Sequence, residues 1–294
     1  MIQNTISIQL DFKETEKVRK ILSSFGWKDE PISNEYIALR MKNEIGSVVT
    51  LYTSRKIVFQ GKEDFQELIS QIQDKTEMGE FVPHLGVDEV GKGDYFGPLV
   101  VASCFVDKEF LTKVKTLGVG DSKKFSDKRI LEMYEKMKDY PYYYTSIVAP
   151  FEYNRLIKET GNVAILLARQ HSKVIEMGLE DLQKKNIVCE KVVIDQFSSR
   201  ESRVKNELGK LGREIEFEQY HKGESDIAVA CASVVARAIF LNEMEKMNKS
   251  YYFSFPKGAS NVIESAKIFV KKYGVEELEK VAKISFKTTK SVLR

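Results

Sequence analysis

The chain has little of what marks a secreted or membrane-embedded protein. Among 294 residues there are 3 cysteines, Cys104, Cys189 and Cys231, far apart and odd in number. That excludes a disulfide scaffold, and their apolar or small-residue surroundings suit buried thiols in a reducing, cytoplasmic compartment. The 3 histidines, His84, His171 and His221, do not combine with the cysteines at the spacing of a zinc site. No run of about 18 apolar residues is present to span a bilayer. The amino terminus, MIQNTISIQLDFKE, lacks a basic stretch followed by an apolar one, so no secretory signal is expected there. Only 6 residues are proline and no tract is of low complexity, which argues against a collagen-like or disordered chain. Neither sign of charge dominates. With 46 Lys and Arg against 43 Asp and Glu, net +3, a nucleic-acid partner must be argued from local placement, not from the sum.

What is present is an ordinary globular composition, 43% hydrophobic and 30% charged. The length allows one large domain or two smaller ones. Residues 1–72 read as a small α/β unit. A strand is expected over 6–12 and a helix over 13–25, from the spacing of Val18, Ile21, Leu22 and Phe25. Three short strands follow, broken at Gly46, Ser54 and Gly61, in the manner of an antiparallel meander; a second helix is expected over 65–72. The polar stretch 73–82 reads as a linker.

From residue 83 the texture changes, and 83–294 reads as the second domain. Strands are expected at HLGVDEVG, PLVVASCFV (98–106), YYYTSIVAP (142–150), KVVIDQF (191–197) and REIEFEQY (213–220). Helices are expected over the segment beginning NVAILLARQ, over 199–211, over the alanine-rich 225–247, and over 261–273 and 275–283. Strand hairpins followed by alternating β and α units give a mixed sheet covered by helices.

Three acidic segments carry the chemistry. Asp88 and Glu89 close an apolar strand just before the turn Gly91-Lys92-Gly93-Asp94-Tyr95-Phe96-Gly97. Adjacent strand residues point to opposite faces, so the two acids would diverge unless the glycine-rich turn relaxes that geometry. Asp195 ends the apolar strand KVVID, where a buried charge needs a partner or a metal, or acts as a cap. Lys222-Gly223-Glu224-Ser225-Asp226 opens the alanine-rich helix. Ser225 suits a helix cap and Asp226 suits the helix dipole, whereas Glu224 would precede the cap. Each segment alone also fits a bland structural reading. Together, four acids from distant elements supply what hard divalent cations need to activate water at a phosphodiester. Covalent acyl chemistry is not favoured, since no Ser–His or Cys–His pairing accompanies them. Gly120-Asp121-Ser122-Lys123-Lys124-Phe125-Ser126, Phe255–Ser260 and Phe286–Lys290 offer lysines and hydroxyls for a basic rim, with Ser126 also a candidate helix cap.

In their order along the chain, DEVGKGDYFGPLVVA, GDSKKFSD, VVIDQF and KGESDIAVACASVVAR resemble the motifs of the type 2 ribonucleases H, and the match to the ribonuclease HIII branch is close. The resemblance implies an RNase H-like fold with a mixed five-stranded sheet flanked by helices. Before it would stand a small amino-terminal α/β domain resembling half of a TATA-binding protein, serving as a substrate platform. It implies endonucleolytic hydrolysis of RNA in RNA–DNA hybrids by a monomer, with two Mg²⁺ or Mn²⁺ ions and 5′-phosphate and 3′-hydroxyl products. By motif position Asp88, Glu89, Asp195 and Glu224 are the metal-site acids, with Asp226 a rival for the fourth place. Gly91, Lys92 and Gly93 match the loop whose backbone meets ribose 2′-hydroxyls; Ser122, Lys123 and Lys124 match phosphate contacts. Lys92 stands where ribonuclease HII usually has Arg, which argues against the alternative of HII-like cleavage at a lone ribonucleotide. A non-catalytic hybrid binder is the other alternative, disfavoured because clustered unused carboxylates repel one another and the phosphate backbone.

Overall fold

The computed structural model describes residues 4–10, 15–32, 34–77, 81–120, 125–195, 202–220 and 226–294. It divides into two compact units, Met1–Phe81 and Val82–Arg294.

The first unit runs β1 (Asn4–Gln9), α1 (Thr15–Ser24), β2 (Lys28–Asp29), β3 (Ile37–Lys42), β4 (Val48–Tyr52), β5 (Lys56–Gly61) and α2 (Gln66–Glu77). Its antiparallel sheet has the order β1-β5-β4-β3-β2. In β3, Ile37, Leu39 and Met41 are buried while Arg40 is half-buried and Lys42 exposed, the period-2 pattern of a one-sided sheet. The buried row joins Val18, Ile21 and Leu22 of α1 and Leu68 and Ile72 of α2 around Trp27, Phe59 and Phe65. The segment expected as a linker over 73–82 begins as helix instead, because α2 continues to Glu77. Gln, Lys and Glu there are good helix formers and nothing in QDKTE breaks the turn.

The second unit runs β6 (His84–Val90), β7 (Leu99–Val106), α3 (Lys108–Leu117), α4 (Asp127–Met137), β8 (Tyr143–Val148), α5 (Pro150–Thr160), α6 (Val163–Lys184), β9 (Lys191–Asp195), α7 (Ser202–Glu207), α8 (Lys210–Glu214), β10 (Glu216–Tyr220), α9 (Ile227–Tyr251), α10 (Ile263–Tyr273), α11 (Val275–Val281) and α12 (Lys287–Val292). Its sheet has the order β10-β9-β6-β7-β8. β6, β7 and β8 form an antiparallel meander, while β9 is parallel to β6 and β10 parallel to β9. A short turn suffices between β6 and β7. The parallel return to β9 takes a crossover through α5 and α6.

Every residue of β7 is buried, so both faces of the sheet need cover. α6 covers the face of Leu85, Val87, Leu99, Val101 and Phe105. α9 lies along the other face and approaches so closely that a Cβ at Gly86 would sit 2.1 Å from the backbone of Ala228 and Val229. The small residues Ala228, Ala230, Ala232 and Ala236, all buried, permit that approach. α9 is long and apolar enough to cross a membrane by length and composition alone; here it is a core helix.

The single helix expected over 199–211 is instead α7 and α8, interrupted at Gly209. The Glu176 carboxylate of α6 accepts from the amides of Leu211 and Gly212 (3.2 and 2.8 Å), satisfying donors that a new helix start leaves free. α3 and α5 were not legible as helices. Asp107 caps the first, and Pro150 opens the second where the preceding strand was expected to continue.

Candidate active site

The pairing of β6 with β9 sets the site. Val87 stands opposite Ile194, so the next residues, Asp88 and Asp195, are level on neighbouring parallel strands. Strand alternation sends both side chains to the α9 face, since Leu85, Val87, Val192 and Ile194 occupy the α6 face. Asp88 is 8% exposed. Burial raises its pKa most, and the charges of Glu89 and Asp195 push the same way. Hydrogen bonds from the Ser233 hydroxyl and from the Glu89 amide (2.7 Å) oppose the rise, and the net result is about 8. A carboxylate this reluctant to ionise fits a cation better than it fits an empty apolar sheet end.

Glu89 goes the other way. The glycine-rich turn begins at Gly91, after both acids, and does not relax the alternation. Glu89 Oε2 lies 3.0 Å from His171 Nε2 of α6, and Oε1 lies 3.6 Å from Lys92 Nζ. Burial alone would raise Glu89, but His171 and Lys92 outweigh it and hold the carboxyl below the usual range. Among the described residues, therefore, no three His, Cys, Asp or Glu side chains gather closely enough to hold a metal ion. The expected quartet is brought together only as the pair Asp88 and Asp195, with Glu89 next to it on the opposite face. Glu224, Ser122, Lys123 and Lys124 lie outside the described residues.

Asp226, the rival for the fourth acid, is engaged elsewhere. It caps α9 in place of Ser225: its Oδ1 accepts from the amides of Ala228 (2.9 Å) and Val229 (3.0 Å). Its Oδ2 lies 2.8 Å from His84 Nε2. Burial would raise this acid too, but His84 and the two amides more than offset it and leave the pKa lowered. His84 is the first residue of β6, four positions before Asp88. At the usual rise per residue that is about 13 Å from the Asp88 end.

The turn after Glu89 is held from the carboxyl-terminal part of the chain. Gly91 has φ +89°, and a Cβ there would lie 2.1 Å from the Pro98 carbonyl oxygen, so glycine is obligatory. Gly93 has neither a positive φ nor any atom within 4 Å of such a Cβ; the fold itself does not ask for glycine there. The Gly258 amide donates to Asp94 Oδ1 (2.6 Å), the Tyr95 amide donates to the Gly258 carbonyl (2.8 Å), and the Tyr95 and Thr289 hydroxyls are 3.1 Å apart. The segments expected as a basic rim thus also act as a frame. Lys257 pairs with Asp127, which also takes Arg237 at 2.9 Å. Ser126 caps α4, accepting from the Arg129 amide at 3.3 Å, as expected.

Two partners of the acids were not singled out from the sequence. His171 is fully buried in the middle of α6, and its only signal was a histidine among the apolar residues of a helix. Ser233 was one more small residue in an alanine-rich helix.

Comparison with known proteins shows the family. The family model described as Ribonuclease HII matches residues 85–289. Ribonuclease HIII of Protochlamydia amoebophila (strain UWE25) is 34% identical over 296 residues, covering 97% of this chain and 95% of that one. Ribonuclease HIII of Streptococcus agalactiae serotype Ia is 32% identical over 299 residues, covering 98% and 97%. The crystal structure of Bst-RNase HIII in complex with Mn²⁺ superposes with a TM-score of 0.73 at 28% identity, covering 99% of this chain and 98% of that one. With the acids at the end of a mixed five-stranded sheet and relatives matched along nearly its whole length, the chain belongs to the ribonuclease HIII family.

Proposed function

We propose that Asp88, Asp195, Glu89 and Glu224 hold two divalent cations, Mg²⁺ or Mn²⁺. At them this endoribonuclease would hydrolyse the RNA strand of RNA–DNA hybrids, leaving 5′-phosphate and 3′-hydroxyl ends. The observation that carries the reading is the level placement of Asp88 and Asp195, with Asp88 pushed up to about 8 by burial and neighbouring acids. The donor set fits: hard carboxylate oxygens, set close enough to repel, at the end of a sheet. Bound there, the ions supply an activated water and stabilisation of the departing ribose oxygen. In this reading Asp88 and Asp195 are the principal ligands, and the Ser233 hydroxyl orients Asp88. His171 fixes the Glu89 carboxylate from behind, as a hydrogen-bonded partner of a ligand does. The open space at Gly93 suits close approach of a ribose to backbone amides, the contact that separates RNA from DNA. Lys92, half-exposed beside Glu89, and Ser122, Lys123 and Lys124 would meet phosphates. The first unit, with Arg40 and Lys42 on the face of its sheet away from the core, serves as a platform for the duplex.

The test is cleavage of two labelled duplexes in Mg²⁺, one an RNA–DNA hybrid and one DNA with a single ribonucleotide, with EDTA as control. The expected result is cutting of the hybrid alone, lost in Asp88→Asn. Equal cutting of the lone ribonucleotide would move the chain to HII-like specificity. Near-wild-type rates in a folded Asp88→Asn variant would sink the metal assignment.

A further inference from the structure

Lys283 is the one lysine among the described residues that is fully buried. Its sequence setting, Val281-Ala282-Lys283-Ile284-Ser285 between two short helices, gives no hint of this. Lysine is almost never fully buried without a reason, because its ammonium loses its hydration shell. Here Nζ donates to the carbonyl oxygens of Gly97 (2.6 Å) and Asp94 (2.9 Å). It also lies 5.6 Å from the centre of the Tyr153 ring. Both carbonyls belong to the turn that follows Glu89.

The surrounding backbone makes the same connection. The Lys283 amide donates to the Tyr95 carbonyl (2.8 Å), the Gly97 amide donates to the Val281 carbonyl (3.0 Å), and Phe96 bridges Ala282. Residues 279–284 are in turn clasped by Asn154 of α5, itself 3% exposed. Its Nδ2 donates to the carbonyls of Glu279 (3.1 Å) and Ala282 (2.8 Å), and its Oδ1 accepts from the Ile284 amide (3.0 Å). A rigid chain of contacts therefore runs from α5 through Lys283 to the glycine-rich turn. The amino group at its end holds the Asp94 and Gly97 carbonyls inward, and with the backbone bonds of Tyr95 and Gly97 it sets which way the peptide groups of Asp94–Gly97 face.

We propose that Lys283 is a positioning residue for substrate recognition: by gripping the Asp94 and Gly97 carbonyls it fixes the glycine-rich turn in the shape that meets the RNA strand. This rests on the reading of Gly91–Gly93 as the ribose-contacting turn. Lys283 touches neither the acids nor the substrate. Its loss acts on binding geometry rather than on the bond-breaking step.

The experiment compares wild type with Lys283→Met and Lys283→Gln. Met keeps an unbranched apolar stem out to the ε position and removes every donor. Gln keeps two N–H donors but ends one bond short of the ammonium. Folding is checked by far-ultraviolet circular dichroism and thermal melting. KM and kcat are measured on an RNA–DNA hybrid in Mg²⁺, and affinity for the hybrid and for the same-sequence DNA duplex is measured in EDTA. The expected result for Lys283→Met is a KM raised about tenfold with kcat changed less than about threefold. The hybrid-over-DNA affinity ratio should fall by a similar factor, with Lys283→Gln intermediate. A merely structural lysine would lower the melting temperature without splitting KM from kcat. If Lys283→Met does not fold, Lys283→Gln carries the comparison, and wild-type selectivity in that folded variant overturns the proposal. If wild type itself binds hybrid and DNA equally, the reading of the turn fails, whatever the variants do. If wild type discriminates and both folded variants discriminate equally well, the turn reading stands and the inference about Lys283 is wrong.

Discussion

The two ends of β6 hold acids in nearly the same setting, with opposite outcomes. At the His84 end, the half-buried Asp226 receives two backbone amides and faces a histidine. At the other end, Asp88 is buried against the same sheet, receives one amide and one hydroxyl, and feels the charges of Asp195 beside it and of Glu89 next in the strand. Burial raises both. Partners bring Asp226 below its ordinary pKa and fail to do so for Asp88, which stands at about 8. An acid whose ionised form is fully provided for contributes to the fold. An acid left costly to ionise, at an open strand end, is where a cation or substrate completes the structure.

The largest expected effect breaks the comparison at the Asp88 end. Asp88→Asn should lower hybrid cleavage by about a thousandfold or more in a steady-state assay. It should also raise the melting temperature in EDTA near neutral pH, because it removes an acid that folding must hold protonated against its ordinary pKa. A lower melting temperature with activity retained would reverse the assignment of the two ends. Next is Asp226→Ala, which leaves two helix-start amides and His84 without their acceptor. We expect a loss of about 2–4 kcal/mol in urea unfolding, with kcat per folded molecule nearly unchanged. A folded Asp226→Ala variant that cannot cut would restore Asp226 as a metal-site acid. Third, His171→Ala should raise the Mg²⁺ concentration for half-maximal rate about tenfold, because Glu89 loses the partner that orients it. An unchanged Mg²⁺ titration would mean Glu89 is not a ligand.

The smallest effects are in the pH dependence of stability in EDTA. Asp88 titrates near 3.8 when unfolded and near 8 when folded. Between those values the folded chain keeps a proton that the unfolded chain has released, so this group makes stability fall as pH rises. Asp226, lowered by folding, contributes stability above its unfolded value that disappears as pH falls through its folded one. Lys283 goes from 10.5 unfolded to about 7 folded. Between those values the unfolded chain holds the extra proton, so stability rises with pH. Asp88→Asn should remove the falling limb and Lys283→Met the rising one, each read from urea midpoints at pH 5, 7 and 9. Unchanged slopes would mean these groups are not desolvated as described.

Much of the architecture was legible because periodicity and glycine breaks encode it locally. The β3–β5 meander, the run of β6 and β7, and the long α6 and α9 all follow from side-chain spacing. The α7–α8 break was not legible, since Gly209 is compatible with a weak helix and the interruption is completed by Glu176 from α6. The motif acids could be found from the sequence, but their grouping could not. That Asp88 and Asp195 stand level depends on the register of β6 against β9, which are separated by about a hundred residues.

The order of motifs along the chain was enough to identify the family, the candidate acids and the glycine-rich turn, because each is a contiguous string whose chemistry is local. Which acid is satisfied and which is not was decided only in the folded chain. Burial, strand register and the arrival of His84, His171, Ser233 and Lys283 from distant segments set the electrostatic balance at each carboxylate and carbonyl. Such balances depend on separations of a few ångströms that no stretch of sequence fixes by itself.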